Sequence, residues 1–509
     1  MTPTETYNIL VIVWPVLIPL TLAAITACLW QFPRAQRAVG IAGLFVLTGS
    51  AFALVHAVTR YDILAVEFGS WPVPFGISFV ADRLSAAMVA ITAVLALAVG
   101  IYGLREMRRV HVRAGFYPLF FGMVTGVNGA FLTGDIFNLY VWFEVMLVTS
   151  LGLLVLGRTK AQIDGAVKYA VLNLLGTVFF LIAVGLLYGA AGTLAFADLA
   201  RILPTLEASP GLVATAILFL CAFGIKAGFF PLFFWLPASY HTAPFAISAI
   251  FAGLLTKVGV YAAFRVFTLL FEVENAGIRE IVAVVAALTM VVGVMGAASQ
   301  WNIRRILSFH IVSQIGYIMM GLAIATPLAM AGAVFYIIHH IIVKANLFLL
   351  AGAVRQATGT DDLRKTGGLL KSHPWLAVLF LIPALSLAGL PPLSGFWAKF
   401  LVVDASFKAD MGWLAGVALF TGLLTLYSMM KIWMEAFWKA PVIERKKTRA
   451  VPAIMVAPIA ALCAITITIG FWAQPFVTYA ELAAITLTDP SVYVAAIIGE
   501  ATEIGRLDP

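Results

Sequence analysis

Apolar side chains dominate this 509-residue sequence: hydrophobic residues make up 62% of it and charged residues only 11%. A soluble domain contains about 25% charged residues, so the composition excludes an ordinary soluble protein and indicates an integral membrane protein. The net charge of +8 is spread over short loops between apolar runs. This distribution is typical of cytoplasmic anchoring charge and argues against a nucleic-acid partner.

Fourteen apolar runs approach or exceed the roughly 20 residues that a helix needs to cross the hydrocarbon core. In chain order they lie near 9–30, 38–59, 78–104, 114–133, 136–156, 164–190, 211–234, 243–268, 279–299, 303–325, 328–353, 374–402, 411–437 and 451–473. Neighbouring runs are least clearly separated at Gly134-Asp135 and near Thr326-Pro327, where the predicted turn is very short. The sequence therefore predicts an all-α integral membrane protein with about 14 transmembrane helices. The first run lacks the features of a cleaved signal peptide and is expected to remain as a helix.

The basic residues of the loops are distributed unequally between the two sides of this predicted bundle. One set of loops, with the adjoining helix ends, contains nineteen Lys and Arg residues, whereas the opposite set contains Arg60, Arg201, Arg279, Lys408 and Arg506. Cytoplasmic loops carry an excess of Lys and Arg, so the first set is predicted to be cytoplasmic. Both termini are then predicted to lie outside.

Two similar segments interrupt long apolar runs with glycine and proline. They are Ala227–Leu232 and Ala388–Leu393, and each precedes a helix that contains Gly-Leu-Leu-Thr, at Gly253–Thr256 and at Gly422–Thr425. The copies are five helices apart, so equivalent helices run in opposite directions, as in the inverted repeats of many ion transporters. The sequence predicts broken helices 7 and 12 and two inverted five-helix repeats. The predicted parts are N-terminal helices 1–3 (1–113), a first repeat (114–268), a second repeat (279–437), and helix 14 with a C-terminal tail (451–509).

Five charged residues are predicted to lie deep inside the bundle, where a charge costs roughly 2.5–3.5 kcal/mol even on lenient insertion scales. They are Glu144 in helix 5, Lys226 before the break in helix 7, Lys257 in helix 8, Lys344 in helix 11 and Lys399 after the break in helix 12. Burial disfavours the charged form of such groups, and a nearby opposite charge favours it. Glu144 and Lys226 therefore form either a coupled proton switch or a pair that only holds two helices in register.

Histidines beside these lysines suit proton transfer because a histidine ordinarily titrates near neutral pH. His340 and Lys344 are four residues apart and share one helix face, so water between them would allow a lateral proton relay. His339 either joins this relay or bonds a backbone carbonyl.

Four further titratable residues each have two interpretations. His310 is a relay group or an interfacial residue. His241 follows the break in helix 7 and marks a proton entrance or has only a structural role. Lys431 and Glu435 form an intrahelical ion pair or the outlet of the path.

The remaining features are interpreted as structural. Arg83 and Arg265 lie near predicted membrane boundaries, where long basic side chains extend toward water. Cys28, Cys221 and Cys463 lie in apolar runs without metal-ligand spacing and are expected to be buried. The sequence has no phosphate-binding glycine loop, iron–sulfur cysteine cluster or haem motif. No cofactor and no metal site are predicted, and the energy source is expected to be an ion gradient or a partner subunit.

At these residues the chain resembles the proton-translocating antiporter-like subunits shared by respiratory complex I, membrane-bound hydrogenases and Mrp cation/proton antiporters. The motifs that carry the resemblance are Trp142–Glu144, Lys226–Pro237, His241–Pro244, Ser248–Gly259, Phe335–Gly352 and Gly389–Lys399. The resemblance implies a role for each proton-path residue: the coupled pair of the first half-channel (Glu144 and Lys226), the central lysine (Lys257), the link to the second half (His340 and Lys344) and the terminal lysine (Lys399).

The segment Ser308–Tyr317 (SFHIVSQIGY), together with the short C-terminal end, is more similar to the D subunits of Mrp-type Na⁺/H⁺ antiporters than to complex I subunits. The resemblance implies a transport subunit, not an enzyme, in a hetero-oligomeric complex of the bacterial inner membrane. One alternative is the proton-pumping subunit of a quinone-linked NADH dehydrogenase or membrane-bound hydrogenase. Another is a structural membrane subunit with vestigial charges.

Overall fold

The computed structural model describes residues 3–207, 209–271, 277–441 and 449–499. These residues are mostly helical, as the apolar runs predict. The helices of the first half are α1 (Pro3–Cys28), α2 (Pro33–Tyr61), α3 (Arg83–Glu106), α4 (Arg109–Arg113), α5 (Phe116–Leu132), α6 (Ile136–Leu154), α7 (Lys160–Ala191), α8 (Phe196–Ile202), α9 (Pro210–Ala227), α10 (Trp235–Ser239), α11 (Phe245–Ile250) and α12 (Thr256–Leu269).

The helices of the second half are α13 (Ile278–Ser299), α14 (Ile303–Ile324), α15 (Pro327–Thr358), α16 (Leu369–Ser372), α17 (Pro374–Ala388), α18 (Ser394–Lys408), α19 (Gly412–Trp433), α20 (Ala453–Phe471), α21 (Ala473–Thr488) and α22 (Pro490–Ile498). A π-helical turn at Phe251–Leu255 joins α11 to α12, and another at Met434–Trp438 extends α19. Two short antiparallel strands, β1 (Leu64–Glu67) and β2 (Ser78–Ala81), pair with Leu64 opposite Ala81.

Twelve helical segments in the described ranges are long and apolar enough to cross a membrane, and they coincide with twelve of the fourteen predicted runs. The other two runs correspond to shorter apolar helices, α5 and α17, so the count of fourteen stays a prediction. The two weakest predicted separations are genuine helix boundaries. The side chains of Asp135 and Thr326 accept hydrogen bonds from Asn138 N and Ala329 N, and so cap the N-termini of α6 and α15.

Both helices that were predicted to be broken are broken in the structure. α9 ends at Ala227 and α17 ends at Ala388. Each is followed by a glycine with positive φ, Gly228 at 82° and Gly389 at 93°, a backbone conformation that glycine adopts without steric cost. The chain then resumes in α10 and α18.

The centre of the protein is formed by two long segments, Phe245–Leu269 (α11, the π-helical turn and α12) and α15. Phe245–Leu269 is enclosed on all sides by other helices, and α15 packs against α11, α14, α17, α18 and α20. Helices such as α2 and α7 lie at the perimeter and expose apolar residues, among them Phe45, Val171 and Val178. The protein therefore has an enclosed interior and an apolar outer surface, as expected for a membrane bundle.

The C-terminal region forms more structure than the sequence indicated. α21 and α22 meet at a bend of 79°; α21 folds back onto α3, α12 and α15, and α22 packs against α8. They cover Arg265, which is only 3% exposed and pairs with the buried Asp82. The prediction that Arg265 extends toward water is therefore wrong. Residues 500–509 of the predicted tail lie outside the described ranges.

Two further expectations have mixed outcomes. Of the three cysteines, Cys463 is buried as predicted, but Cys28 is exposed and Cys221 is half-buried, because their helices lie at the perimeter.

Part of the predicted basic loop, 442–448, and both terminal residues lie outside the described ranges. The membrane orientation therefore remains a prediction.

Candidate functional site

The first cluster of titratable groups lies where α6, α7 and α9 meet. Lys226, in the last turn of α9, is 4% exposed and donates a hydrogen bond from Nζ to Oγ1 of Thr177 at 3.1 Å. The Thr177 hydroxyl donates in turn to Oε1 of Glu144 at 2.7 Å. Within the described residues, the predicted Glu144–Lys226 pair is thus joined through a threonine rather than by a direct ion pair. Glu144 is only partly buried.

The broken helix holds Lys226 in this position. The indole Nε1 of Trp235 in α10 donates to the carbonyl of Ile225 at 2.8 Å, which satisfies a backbone acceptor next to the break. On the other side, α12 approaches closely at Gly259, where a Cβ atom would lie 2.7 Å from the backbone nitrogen of Ala227. The glycine of the Ser248–Gly259 motif therefore allows the lysine-bearing helices α9 and α12 to come together.

Lys257 lies at the start of α12 and is completely buried. Its Nζ donates to the carbonyl of Ala252 at 2.6 Å and lies 3.3 Å from Oγ1 of Thr256. Ala252 belongs to the π-helical turn that separates α11 from α12. Such turns disturb the regular helical hydrogen-bonding pattern and are frequent at functional sites.

His340 and Lys344 lie one turn apart on α15, and both are completely buried. Neither ring nitrogen of His340 nor Nζ of Lys344 has a hydrogen-bond partner in the described part of the chain. Buried polar groups that have no partner in the protein normally form hydrogen bonds to internal water. This pair therefore favours a hydrated path along α15.

His310 on α14 is completely buried, and its Nε2 lies 2.9 Å from Oγ of Ser428 on α19. The side chain of His310 therefore faces the protein interior and not the outer surface. The helix carries this histidine in its middle third and faces the protein interior on nearly every side. A relay role for His310 stays a prediction.

His339 connects α15 to the second broken helix. Its Nδ1 lies 2.8 Å from Oγ of Ser394, at the start of α18, so the predicted bond to a backbone carbonyl is not observed. Ser394 Oγ lies 3.1 Å from Oγ of Ser386 in α17. The histidine is thereby linked to both sides of the break.

Lys399 lies in α18, just beyond the first turn. Its Nζ donates to the carbonyl of Ala388 at 2.8 Å and lies 4.8 Å from the ring centre of Tyr317. Ala388 is the last residue of α17, so no later N–H group of that helix donates to its carbonyl. Lys399 lines a cavity of about 390 Å³ that extends to Leu423 at the perimeter.

Lys431 and Glu435 do not form the predicted intrahelical pair in the described residues. Lys431 donates to the carbonyls of Ala298 and Gln300 at 3.0 and 2.7 Å, at the C-terminal end of α13, where a cation is favoured. Glu435 pairs instead with Lys439 at 2.9 Å. Glu435 lies in the π-helical turn that extends α19, which changes the direction of its side chain relative to Lys431.

His241 lies in the loop between α10 and α11, close to the basic loops. Its Nδ1–H donates to the carbonyl of Pro237 at 2.8 Å. Burial, together with the guanidinium groups of Arg305 and Arg304, lowers the pKa of His241 to about 4. His241 is therefore neutral near pH 7.

Two residues of the interior are not marked by any motif in the sequence. Thr177 has no motif around it and joins Glu144 to Lys226. Glu106, the last residue of α3, accepts hydrogen bonds from the backbone nitrogens of Phe245 and Ala246, both at 2.7 Å, and so caps α11. It lies among arginines in the sequence, which made it resemble a loop residue. The only sequence signal was that the backbone N–H groups at the start of a helix need acceptors.

Comparisons with known proteins show the family to which this chain is related. Residues 133–425 match the family described as NADH:quinone oxidoreductase/Mrp antiporter, TM. The D subunit of the Na(+)/H(+) antiporter of Alkalihalophilus pseudofirmus is 44% identical over 490 residues, which cover 96% of this chain and 99% of that protein. A chain in the structure of the Mrp complex from Dietzia sp. DQ12-45-1b is similar with a TM-score of 0.91 and 31% identity, over 98% of this chain and 100% of that one.

A chain of the membrane-bound sulfane sulfur reductase, an archaeal respiratory membrane complex, is also similar in structure. Its TM-score is 0.89, its identity is 25%, and the match covers 96% of this chain and 99% of that one. The fold is thus shared with a respiratory complex, whereas the higher sequence identities are with antiporter subunits.

Proposed function

This chain belongs to the NADH:quinone oxidoreductase/Mrp antiporter transmembrane family, and we propose that it is the proton-translocating D subunit of a multisubunit Na⁺/H⁺ antiporter. In this role it is a transport subunit without catalytic activity of its own. It assembles with other subunits in the bacterial inner membrane and contributes to the exchange of cytoplasmic Na⁺ for external protons. The 44% identity to the D subunit of an antiporter over nearly the whole chain supports this choice over a redox pump.

The observation that carries the proposal is the row of titratable side chains in the most enclosed part of the bundle. Lys257, His340 and Lys344 are 0% exposed on the two central segments, and His340 and Lys344 lack partners among the described residues. Unpaired buried charges destabilise a fold, so a purely structural subunit gains nothing from them. Proton transfer requires such groups.

The proposed path runs along the row from one broken helix to the other. It begins at the Glu144–Lys226 cluster, continues through Lys257, and ends at Lys399. Between these groups lie His340, Lys344 and His339. His310, His241, Lys431 and Glu435 are the proposed relay or exit residues.

The proposed topology follows from the same features. The arginine-rich loops are cytoplasmic, and both termini lie outside. The chain divides into helices 1–3 (1–113), inverted repeats at 114–268 and 279–437, and a C-terminal part (451–509). The parallel positions of Gly228 and Gly389, each with positive φ at the end of a broken helix, support the two repeats.

The proposal is tested with the complete complex in everted membrane vesicles, by recording the collapse of a pH gradient on addition of Na⁺. The test variant is Lys226→Ala. Lys168→Ala is the matched control, because Lys168 is half-exposed in an i,i+4 pair with Asp164. Assembly of each variant is checked on a native gel.

The expected result is Na⁺-dependent proton movement in the wild type and in Lys168→Ala, and its loss in an assembled Lys226→Ala complex. A wild-type complex that ignores Na⁺ but pumps protons when given an electron donor would establish the redox-pump alternative. Normal exchange in Lys226→Ala would refute the proposed proton path.

A further inference from the structure

The hydroxyl of Thr177 occupies an unusual position between two ionisable groups. Its Oγ1 lies 2.7 Å from Oε1 of Glu144, 3.1 Å from Nζ of Lys226 and 3.1 Å from the carbonyl oxygen of Asn173. A hydroxyl has one hydrogen to donate and two lone pairs that accept, whereas a lysine ammonium only donates. Lys226 therefore donates to Thr177, whose single hydrogen points to Glu144 or to Asn173.

Thr177 is the sole polar connection between the two groups in the described part of the chain. Neither Nζ of Lys226 nor the carboxylate of Glu144 has another hydrogen-bond partner there. The ring of Phe143 lies 5.7 Å from Nζ of Lys226, and it packs edge-on against Phe180 and Phe223. These aromatic rings line the cluster with apolar surface, so the hydroxyl provides the polar bridge across it.

We propose that Thr177 relays a proton between Lys226 and Glu144, an assignment that rests on the proposed proton path. In one direction an N–H bond of the Lys226 ammonium breaks as an O–H bond forms on Thr177. The original O–H bond of Thr177 breaks as an O–H bond forms on Oε1 of Glu144. An ammonium and a carboxylate become an amine and a carboxylic acid, and the threonine is chemically unchanged.

The carbonyl of Asn173 supplies the second position of the relay. It lies one turn before Thr177 on α7 and accepts the hydroxyl hydrogen when that hydrogen is turned away from Glu144. A protonated Glu144 is itself a donor, so the hydroxyl of Thr177 must then accept from it. Rotation of one hydroxyl hydrogen between Glu144 and Asn173 thus connects or disconnects the two groups.

The experiment compares Thr177→Val with Thr177→Ser in the complete complex, in the same vesicle assay and with assembly checked on a native gel. Valine has nearly the same shape as threonine but no hydroxyl, whereas serine keeps the hydroxyl. We expect Thr177→Val to lower the initial rate of Na⁺-dependent proton movement by at least about 100-fold, the lower end of the range for loss of a positioned proton-transfer group. Thr177→Ser is expected to retain most of the wild-type rate, which a purely packing role of the methyl group would not produce.

Thr177→Ala provides a second variant without the hydroxyl if the valine variant does not assemble, and the same loss of rate is expected for it. Assembled hydroxyl-free variants that transport like the wild type, while Lys226→Ala and Glu144→Gln are silent, would overturn the relay and leave the proposed function intact. Normal transport in Lys226→Ala would instead refute the proposed path itself. A serine variant as slow as valine would also overturn the relay.

Discussion

Replacement of Asp82 by asparagine is expected to destabilise the end of the bundle that α21 and α22 cover. Oδ1 of Asp82 and Nη2 of Arg265 lie 2.5 Å apart, and the two side chains are 0% and 4% exposed. Thr486 of α21 lies 3.2 Å from the other carboxylate oxygen, and the ring centre of Tyr493 lies 5.7 Å from the guanidinium carbon of Arg265. Loss of one partner of a buried ion pair costs about 3–5 kcal/mol, because the remaining charge stays buried without compensation.

The free energy of unfolding of the purified complex in mixed detergent micelles measures this effect. The matched control is Asp62→Asn, since Asp62 pairs with Arg83 but is 76% exposed, and an exposed pair contributes about 0–1 kcal/mol. Combining Asp82→Asn with Arg265→Met removes both charges and is expected to recover much of the loss. Equal effects of the two asparagine substitutions, or a double variant no more stable than the single one, would refute the reasoning.

Three further predictions follow from individual side chains. Lys344→Met is expected to raise the unfolding temperature of the complex while abolishing Na⁺-dependent proton movement, because Nζ of Lys344 is buried without a partner among the described residues; a less stable variant would contradict this. His241→Gln, whatever its effect on the rate of exchange, is expected to leave the shape of the pH profile unchanged between about pH 6 and 9, because burial lowers the pKa of His241 to about 4 and keeps it neutral there; a shifted acid limb would show that His241 titrates in that range. Asp361→Asn is expected to lower the stability by about 1.5–3 kcal/mol at neutral pH. Although burial opposes ionisation, Arg304 and Arg355 hold the pKa of Asp361 below its ordinary value. The ion pair therefore stabilises the fold at pH values above the ordinary pKa of an aspartate, and this stabilisation is lost as the pH falls through the lowered pKa. The unfolding temperatures of the wild type and the variant should therefore converge in strong acid.

The sequence was sufficient to locate helices and their interruptions. A membrane-crossing helix needs a long apolar run, whose position is independent of tertiary contacts. The breaks were equally readable, because glycine followed by proline ends a helix for local steric reasons. Accordingly, α9 and α17 end within Ala227–Leu232 and Ala388–Leu393, the two segments in which glycine and proline interrupt an apolar run.

The sequence was not sufficient to identify the partners of the buried groups. Thr177 lies 33 residues from Glu144 and 49 from Lys226, and a threonine in an apolar helix is unremarkable until packing brings it between two charges. Arg265 near a helix end is typical of a side chain that reaches water. Its burial depends on α21 and α22, whose packing against Asp82 and Arg265 is a tertiary effect.

The distribution of carboxylates in the interior is consistent with the proposed proton path. A unit charge 4 Å from its counter-ion gains about 4 kcal/mol at an effective dielectric constant of 20, and each 1.36 kcal/mol changes a rate by about tenfold. A fixed carboxylate beside Lys257 or Lys344 would therefore slow proton release by roughly three orders of magnitude. In the described residues no carboxylate pairs with either lysine, and Nζ of Lys257 is held by a neutral carbonyl. The one carboxylate of the proposed path before α19, Glu144, reaches its lysine only through the hydroxyl of Thr177. On the proposed path, a proton would therefore be attracted into the cluster at α6, α7 and α9 and would meet no carboxylate paired with a lysine along α12 and α15 in the described residues. This is the energetic profile that the proposed passage of protons from one broken helix to the other requires.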